Sequence, residues 1–271
     1  MSLHTEWIRY GENEEYSGYV AYPENAEGQL PAVIVLQEIW GVDDHIQDVT
    51  ERYAKAGYVA FSPDLYAKNG EREPVFAADR VEAVKSFLNS VPPTVWHNQE
   101  QLQAELGKLP DEQGKQIQET LGALFGGLDP ANYKDQLVES ASFLREDYEK
   151  SRGQKIGSVG FCMGGALSAL LAGTDEKLAG AVIFYGRPPK EEVIEGIQCP
   201  VLGFYGELDP NISNHIPELA ETMKKHRKSF DYKIYKGAQH AFFNDTRASY
   251  NADASRDAFA RVLTFFNEQL A

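Results

Sequence analysis

The chain has 271 residues, 42% of them hydrophobic and 25% charged. This suits one large α/β domain, alone or with an insertion, and a core of ordinary size. The formal net charge of −15 argues against nucleic acid and anionic membranes as partners, because phosphate binding needs clustered Lys and Arg. Two cysteines without a C-x-x-C pair exclude a disulfide scaffold and argue against a cysteine zinc site.

The first residues carry neither the basic nor the apolar segment of a signal peptide, and no apolar run is long enough to span a bilayer. We therefore expect a cytoplasmic protein, in a compartment that keeps thiols reduced. The expected partners are small molecules, with no nucleic acid and no membrane, and the chain is expected to be a monomer or a small homo-oligomer.

From the N-terminus, strand patterns alternate with helix patterns. Residues 7–10 and 16–22 alternate apolar and polar side chains, which predicts a β-hairpin. Residues 31–36 form a continuous apolar run with β-branched members, typical of a strand buried on both faces. A helix over 43–57, ended by a glycine, and a strand over 58–61 follow. Strand, helix and strand in this order predict a parallel sheet with right-handed crossovers.

The middle of the chain has a different composition. Residues 76–90 have the apolar spacing of a helix, and Pro92-Pro93 end it. Residues 94–128 are rich in Gln and Glu, show helical spacing and end near Gly126-Gly127. We interpret them as a helical insertion within a single α/β domain spanning 1–271. The insertion is either a surface decoration without catalytic consequence or a cap over the active site.

The C-terminal half returns to the strand and helix pattern. Asp129 and Pro130 are a helix N-cap and first-turn proline. Residues 181–185 and 201–205 predict two more buried strands, and 230–235 predict a strand nearer the sheet edge. A last amphipathic helix closes the chain. The fold expected from these elements is a mostly parallel central sheet with helices on both faces.

Residues 160–165, Gly-Phe-Cys-Met-Gly-Gly, stand between an apolar strand pattern and an Ala/Leu-rich helix pattern. They match G-x-S-x-G with cysteine in place of serine, the nucleophile elbow of a strand–turn–helix unit. The turn would hold the Cys162 sulfur over a helix N-terminus, where N–H groups and the helix dipole favour a thiolate. The alternative is that Cys162 is a small buried hydrophobe. Cys199, at the start of a predicted strand, is interpreted as a core residue.

A thiol nucleophile needs a base and an acid that orients the base. Asp209 follows the predicted strand 201–205, and His240 follows 230–235, so both lie at carboxyl ends of strands. The alternatives are a structural histidine, a turn or N-cap aspartate, and Glu207 as the competing acid. Four other histidines are expected to face solvent: His45, His97, His215 and His226.

An oxyanion hole formed by two backbone N–H groups is expected beside the nucleophile. One donor is Met163, and the other comes from the loop after the strand 31–36, which reads Gln-Glu-Ile-Trp-Gly. Glu38 in this loop places a carboxylate at the rim of the site. The alternative for Glu38 is an acid that complements a helix N-terminus.

These motifs together resemble the dienelactone hydrolase family, whose members include carboxymethylenebutenolidases, and the resemblance runs in order over most of the chain. It implies an α/β-hydrolase fold without metal or cofactor. It also implies a Cys162–His240–Asp209 triad, Glu38 in contact with the resting thiol, and Ile39 N–H as the second oxyanion donor. The motifs that carry the resemblance are residues 37–41, 62–66, 160–165, 206–209 and 240–242.

The substrate-binding arginines of the family are only partly present. Members of the family bind a substrate carboxylate with two arginines, one of them four residues after the catalytic histidine. Asn244 occupies that position here, and the second arginine falls where this chain has its insertion. The candidate substrate-binding residues are therefore Arg72, Arg80, Arg247, Tyr66 and Trp40.

The function expected from this set is the opening of a lactone or enol ester through a thioester on Cys162. Cysteine suits substrates with an activated leaving group, because a thiolate is itself a good leaving group. One alternative is a carboxylesterase of broad specificity for small esters. Another is a redox sensor on a hydrolase scaffold, in which Cys162 is oxidised.

Overall fold

The computed structural model describes residues 2–126 and 129–271, apart from the side chains of Pro93 and His97. The chain forms two compact units: the first comprises residues up to Leu65 and from Pro130 onward, and the second runs from Tyr66 to Asp129. The strands are β1 (Leu3–Tyr10), β2 (Tyr16–Pro23), β3 (Ala32–Leu36), β4 (Val59–Pro63), β5 (Ala67–Lys68), β6 (Glu71–Arg72), β7 (Ile156–Phe161), β8 (Gly180–Phe184), β9 (Val201–Gly206) and β10 (Phe230–Tyr235). The helices are α1 (Asp44–Lys55), α2 (Ala78–Ser90), α3 (Gln99–Leu106), α4 (Asp111–Phe125), α5 (Lys134–Glu146), α6 (Met163–Thr174), α7 (Glu191–Gly196), α8 (Pro210–Ser213), α9 (Ile216–Lys225) and α10 (Ala252–Leu270).

The first unit is built on an eight-stranded sheet in the order β1-β2-β4-β3-β7-β8-β9-β10. The β1–β2 hairpin joins β4 in antiparallel pairing, and the remaining neighbours are parallel. The predicted mostly parallel α/β fold is therefore confirmed. Because the six strands from β4 to β10 in the sheet order run parallel, their carboxyl ends meet at one edge of the sheet.

Two apolar layers cover the two faces of this sheet. Ala32, Ile34 and Leu36 of β3 pack into the layer that contains α5, α6, α7 and α9. Val33 and Val35 point the other way, into the layer with α1 and α10. This alternation explains why β3 is apolar at every position, since a strand covered on both faces has no polar side.

The second unit packs α2 against α4 through the buried faces of the two helices. Within it, the Thr120 hydroxyl donates to the Val75 carbonyl and Trp96 Nε1 donates to the Leu88 carbonyl, each at 3.0 Å. The unit contains most of the predicted insertion 94–128 and begins earlier, at Tyr66. Residues 127 and 128 of the predicted insertion lie outside the described residues. That the whole chain is a single domain stays a prediction.

The expectation of a solvent-facing His45 is wrong. His45 lies in the first turn of α1, is 3% exposed, and its Nδ1 is 3.5 Å from Asp245 Oδ1. Asp245 belongs to the loop between β10 and α10, so this contact joins that loop to the start of α1. His215 is exposed, His226 is half-buried, and the side chain of His97 lies outside the described residues. Within residues 2–126 and 129–271, no helix is both long and apolar enough to cross a bilayer.

Candidate active site

Cys162 sits between β7 and α6 in a conformation that a cysteine rarely adopts. Its φ is 56° and its ψ is −114°, in the positive-φ region that non-glycine residues enter at an energetic cost. The thiol is half-buried at the first turn of α6, where N–H groups have no intrahelical acceptor. This is the strained strand–turn–helix geometry that the G-x-C-x-G pattern predicts.

Glycines allow the backbone to pack closely around this turn. A Cβ on Gly160 would lie 1.8 Å from the carbonyl oxygen of Gly164, and one on Gly164 would lie 2.2 Å from that of Leu36. Both neighbours are backbone atoms, so neither clash can be relieved by a side-chain movement. The glycines thus hold β3, β7 and the start of α6 together beneath Cys162.

We expect Gly160→Ala to destabilise the fold by about 3 kcal/mol, because its methyl group must push α6 away from β7. The matched control is Gly122→Ala, whose added Cβ meets nothing within 4 Å and which should be neutral or slightly stabilising in mid-helix. The midpoint of urea unfolding measures both. Equal midpoints for the two variants would contradict the close-packing argument.

His240 and Asp209 meet at the carboxyl edge of the sheet. His240 Nδ1 donates to Asp209 Oδ2 at 2.6 Å. Asp209 is the N-cap residue of α8, but its carboxylate makes no capping hydrogen bond and is directed to the imidazole instead. The competing acid Glu207 accepts from Gly237 N–H at 2.9 Å. The structure therefore brings His240 together with Asp209 and engages Glu207 elsewhere.

The charges around His240 favour its protonated form. Burial lowers the pKa of His240, but the hydrogen bond to Asp209, the hydrogen bond and charge of Cys162, and the charge of Asp209 outweigh burial and raise the pKa to about 10. Since Nδ1 faces Asp209, Nε2 is the nitrogen left for the thiol. A thiolate on Cys162 and an imidazolium on His240 stabilise each other in this arrangement.

Glu38 is buried at the end of β3 with both carboxylate oxygens hydrogen-bonded. The Tyr185 hydroxyl donates to Oε1 at 3.1 Å, and Asn244 Nδ2 donates to Oε2 at 2.8 Å. Glu38 is 3% exposed and Asn244 is 1% exposed. Among the described residues, the Glu38 carboxylate is hydrogen-bonded to Tyr185 and Asn244 and not to the Cys162 thiol. The predicted contact of Glu38 with the thiol therefore stays a prediction.

Sequence reasoning missed Tyr185 as a residue of the site, and it treated Asn244 only as a missing arginine. Tyr185 directly follows β8 and precedes Gly186, so a hydroxyl at the carboxyl end of a buried strand was the available signal. Asn244 follows two buried phenylalanines, and an amide in so apolar a run indicates a buried partner. The identity of that partner, Glu38, depends on tertiary contacts that no local pattern contains.

The other candidates in the first unit border the same loops. Met163 is the first residue of α6, and Ile39 lies in the turn after β3. The Arg247 guanidinium lies 5.3 Å from the centroid of the Trp40 ring, a cation–π contact between the loop after β10 and the loop after β3. The roles predicted for these four residues stay predictions.

Three substrate-binding candidates belong to the second unit. The Arg80 guanidinium donates to the Gln116 carbonyl at 2.8 Å and pairs with Glu119 at 3.0 Å. Tyr66 stacks on Phe76 with ring centroids 4.4 Å apart, and Arg72 ends the short strand β6. Their part in substrate binding stays a prediction. Among the described residues, no three His, Cys, Asp or Glu side chains are arranged to hold a metal ion.

Comparison with known proteins decides the family. The sequence model of the dienelactone hydrolase family matches residues 16–270. The chain belongs to this family. It is therefore a hydrolase of the dienelactone hydrolase type, and the prediction of a carboxylic ester hydrolase is confirmed.

Three relatives illustrate the likeness. The chain is 40% identical over 249 residues to a Saccharolobus solfataricus protein named "Putative carboxymethylenebutenolidase", covering 91% of each chain. It is 31% identical to a Yersinia pestis protein of the same name, covering 98% of this chain and 91% of the relative. A crystal structure titled as a "Putative Dienelactone Hydrolase" from Klebsiella pneumoniae superimposes with a TM-score of 0.70 at 27% identity, covering 98% of this chain and 99% of that chain. The α/β-hydrolase fold expected for the family is thus confirmed.

Proposed function

We propose that this dienelactone hydrolase family member cleaves small lactones or activated esters through a thioester on Cys162. The observation that carries the proposal is the position of His240, whose Nδ1 donates to Asp209 at 2.6 Å. Asp209 and Cys162 are also the two residues that raise the pKa of this imidazole. A nucleophile, a base and an acid that orients the base are the parts that covalent ester hydrolysis requires.

Transfer of the thiol proton to His240, with Glu38 assisting, gives the thiolate–imidazolium pair. In the first step the thiolate sulfur forms a bond to the carbonyl carbon. The oxyanion is stabilised by the N–H groups of Met163 and Ile39. When the C–O bond to the leaving group breaks, the departing oxygen takes the proton from His240. The enzyme is then acylated on sulfur.

Acylation of Cys162 lowers the pKa of His240 before the second step. Two of the effects that raise the pKa of His240 come from Cys162, and both disappear when the thiolate becomes a neutral thioester. The pKa of His240 therefore falls in the acyl-enzyme, which turns the imidazole into a base for water. Water loses a proton to His240, attacks the thioester carbon and restores the thiolate as the C–S bond breaks.

Acyl-enzyme trapping tests this proposal. We expect protein mixed with p-nitrophenyl acetate and quenched in acid to gain the mass of one acetyl group on the peptide that carries Cys162. An acetyl group found on serine or lysine instead, with Cys162 unmodified during turnover, would contradict the thioester route. Protein that turns over no ester and forms a stable sulfenate in mild peroxide would favour the redox-sensor alternative.

The broad-specificity carboxylesterase remains as a second candidate because of one observation. Asn244, at the position of the family's arginine, is buried and donates to Glu38. It therefore offers no charge to a substrate carboxylate. Comparing kcat/KM for an anionic enol lactone and a neutral ester of similar leaving-group reactivity separates the candidates. A strong preference for the lactone supports the first function, and comparable values support the second.

A further inference from the structure

Tyr185 lies in the core and also contacts residues proposed for catalysis. Its hydroxyl donates to Glu38 Oε1 at 3.1 Å, and its ring centroid lies 5.0 Å from that of His240. Burial first, and then the negative charges of Glu38 and Cys162, raise its pKa well above the ordinary value. Tyr185 is thus a neutral donor in contact with two of the four residues proposed for the chemistry, Glu38 and His240.

The backbone of Tyr185 is strained. Its φ is 40°, a region in which a bulky residue persists only when its surroundings hold it there. Tyr205 on the neighbouring strand β9 provides a contrast, because it is also fully buried but its hydroxyl has no hydrogen-bond partner. Burial alone raises the pKa of Tyr205. Burial of a tyrosine at this edge of the sheet therefore does not by itself explain the contacts of Tyr185.

Asn244 completes the support of Glu38 from the opposite oxygen. Its Nδ2 donates to Oε2 at 2.8 Å from the loop after β10, whereas Tyr185 donates to Oε1 from the loop after β8. Hydrogen bonds to both oxygens fix the plane of the carboxylate. Because both donors are neutral, they orient the carboxylate without cancelling its charge. The charged and titratable groups around Tyr185 are Glu38, Cys162, His240 and Arg247.

We propose that Tyr185 and Asn244 are positioning residues that hold the Glu38 carboxylate in one orientation beside the Cys162–His240 pair. The inference rests on the proposed function, in which Glu38 assists removal of the thiol proton. In this proposal Asn244 holds the Glu38 carboxylate and does not bind the substrate. The position four residues after the histidine therefore supports the nucleophile's activation in this chain.

The first test replaces Tyr185 with phenylalanine, which removes one oxygen and keeps the ring. We expect kcat for p-nitrophenyl acetate to fall about tenfold, because a hydrogen bond to a charged group is lost, while KM changes little. The matched control is Tyr205→Phe, which removes an unpartnered hydroxyl from the adjacent strand and should leave kcat unchanged. Equal kcat values for Tyr185→Phe and the wild type would overturn the proposal.

A double-mutant cycle with Glu38→Gln shows whether Tyr185 acts through Glu38. We expect Tyr185→Phe to cause no further loss of kcat in the Glu38→Gln background, since the charge it positions is already gone. Losses that multiply in the double variant would overturn the proposal, because Tyr185 would then act independently of Glu38. Thermal midpoints of all variants separate misfolding from loss of positioning.

Asn244→Asp supplies a second, independent variant. It keeps the side-chain shape but sets one carboxylate against another, so we expect a large loss of kcat at about pH 8 that is partly recovered toward about pH 5, where one of the two carboxyls gains a proton and can donate. The same fractional loss at every pH would overturn the role of Asn244. The proposed thioester mechanism is tested separately by Cys162→Ala. If that variant kept its activity, the mechanism itself would be wrong, whatever the Tyr185 and Asn244 variants show.

Discussion

Replacing Cys162 with alanine is expected to lower kcat/KM for an activated ester by about 10⁴-fold or more, because the covalent route is lost and only oxyanion stabilisation and binding remain. The fold should be unaffected, since the thiol is half-buried and leaves no large cavity. Two quantities are measured on the wild type and the variant: the initial rate of p-nitrophenyl acetate hydrolysis and the rate at which iodoacetamide alkylates the protein's thiols.

The second cysteine is the control for this experiment. Cys199 is 6% exposed, and burial raises the pKa of its thiol to about 11. Cys199→Ala should therefore keep full activity and lose only a modest part of its stability. If Cys162→Ala were as active as Cys199→Ala, the thioester mechanism would be wrong.

Replacing Asp209 with asparagine should reduce kcat by about 10²- to 10⁴-fold, since an amide neither fixes the imidazole tautomer nor stabilises the imidazolium. Asp209 is one of the groups that raise the pKa of His240 to about 10. Without it the imidazolium loses its proton at lower pH, so the thiolate–imidazolium pair breaks up earlier as the pH rises. The pH titration of the His240 imidazole, followed by NMR, should show this lower pKa.

Glu207→Gln is the matched control for that variant. Glu207 lies two residues away in the same loop, and its carboxylate accepts from Gly237 N–H instead of from the histidine. We expect it to change kcat by less than about threefold, as an exposed surface contact would. A loss as large as that of Asp209→Asn would make Glu207 the orienting acid and reverse the assignment.

The sequence pattern predicts the buried strand β3, the turn at Cys162 and the contact of His240 with Asp209. The strand β3 follows from a continuous run of β-branched and aliphatic residues, and the turn at Cys162 from glycines at spacings that only a tight elbow requires. The meeting of His240 with Asp209 followed from their places after late parallel strands, because such strands end at one edge. Each of these inferences needs only neighbouring residues and the rules of sheet topology.

The contacts of Glu38 could not be predicted in the same way. Its donors come from loops far along the chain, after β8 and after β10, and nothing near Glu38 in sequence indicates them. The contact of His45 with Asp245 is of the same kind, because Asp245 lies about 200 residues further along the chain. In both cases the contact joins residues far apart in the sequence, and loop conformation has no simple periodic signature.

The position of β3 in the sheet has a consequence for synthesis of the protein. β3 pairs with β4 on one side and with β7 on the other, but the whole second unit is translated between β4 and β7. One edge of β3 therefore stays open on the ribosome until Phe161 has emerged. An apolar strand with an unpaired edge is a template for aggregation, so the nascent chain exposes such an edge for as long as the second unit is being made.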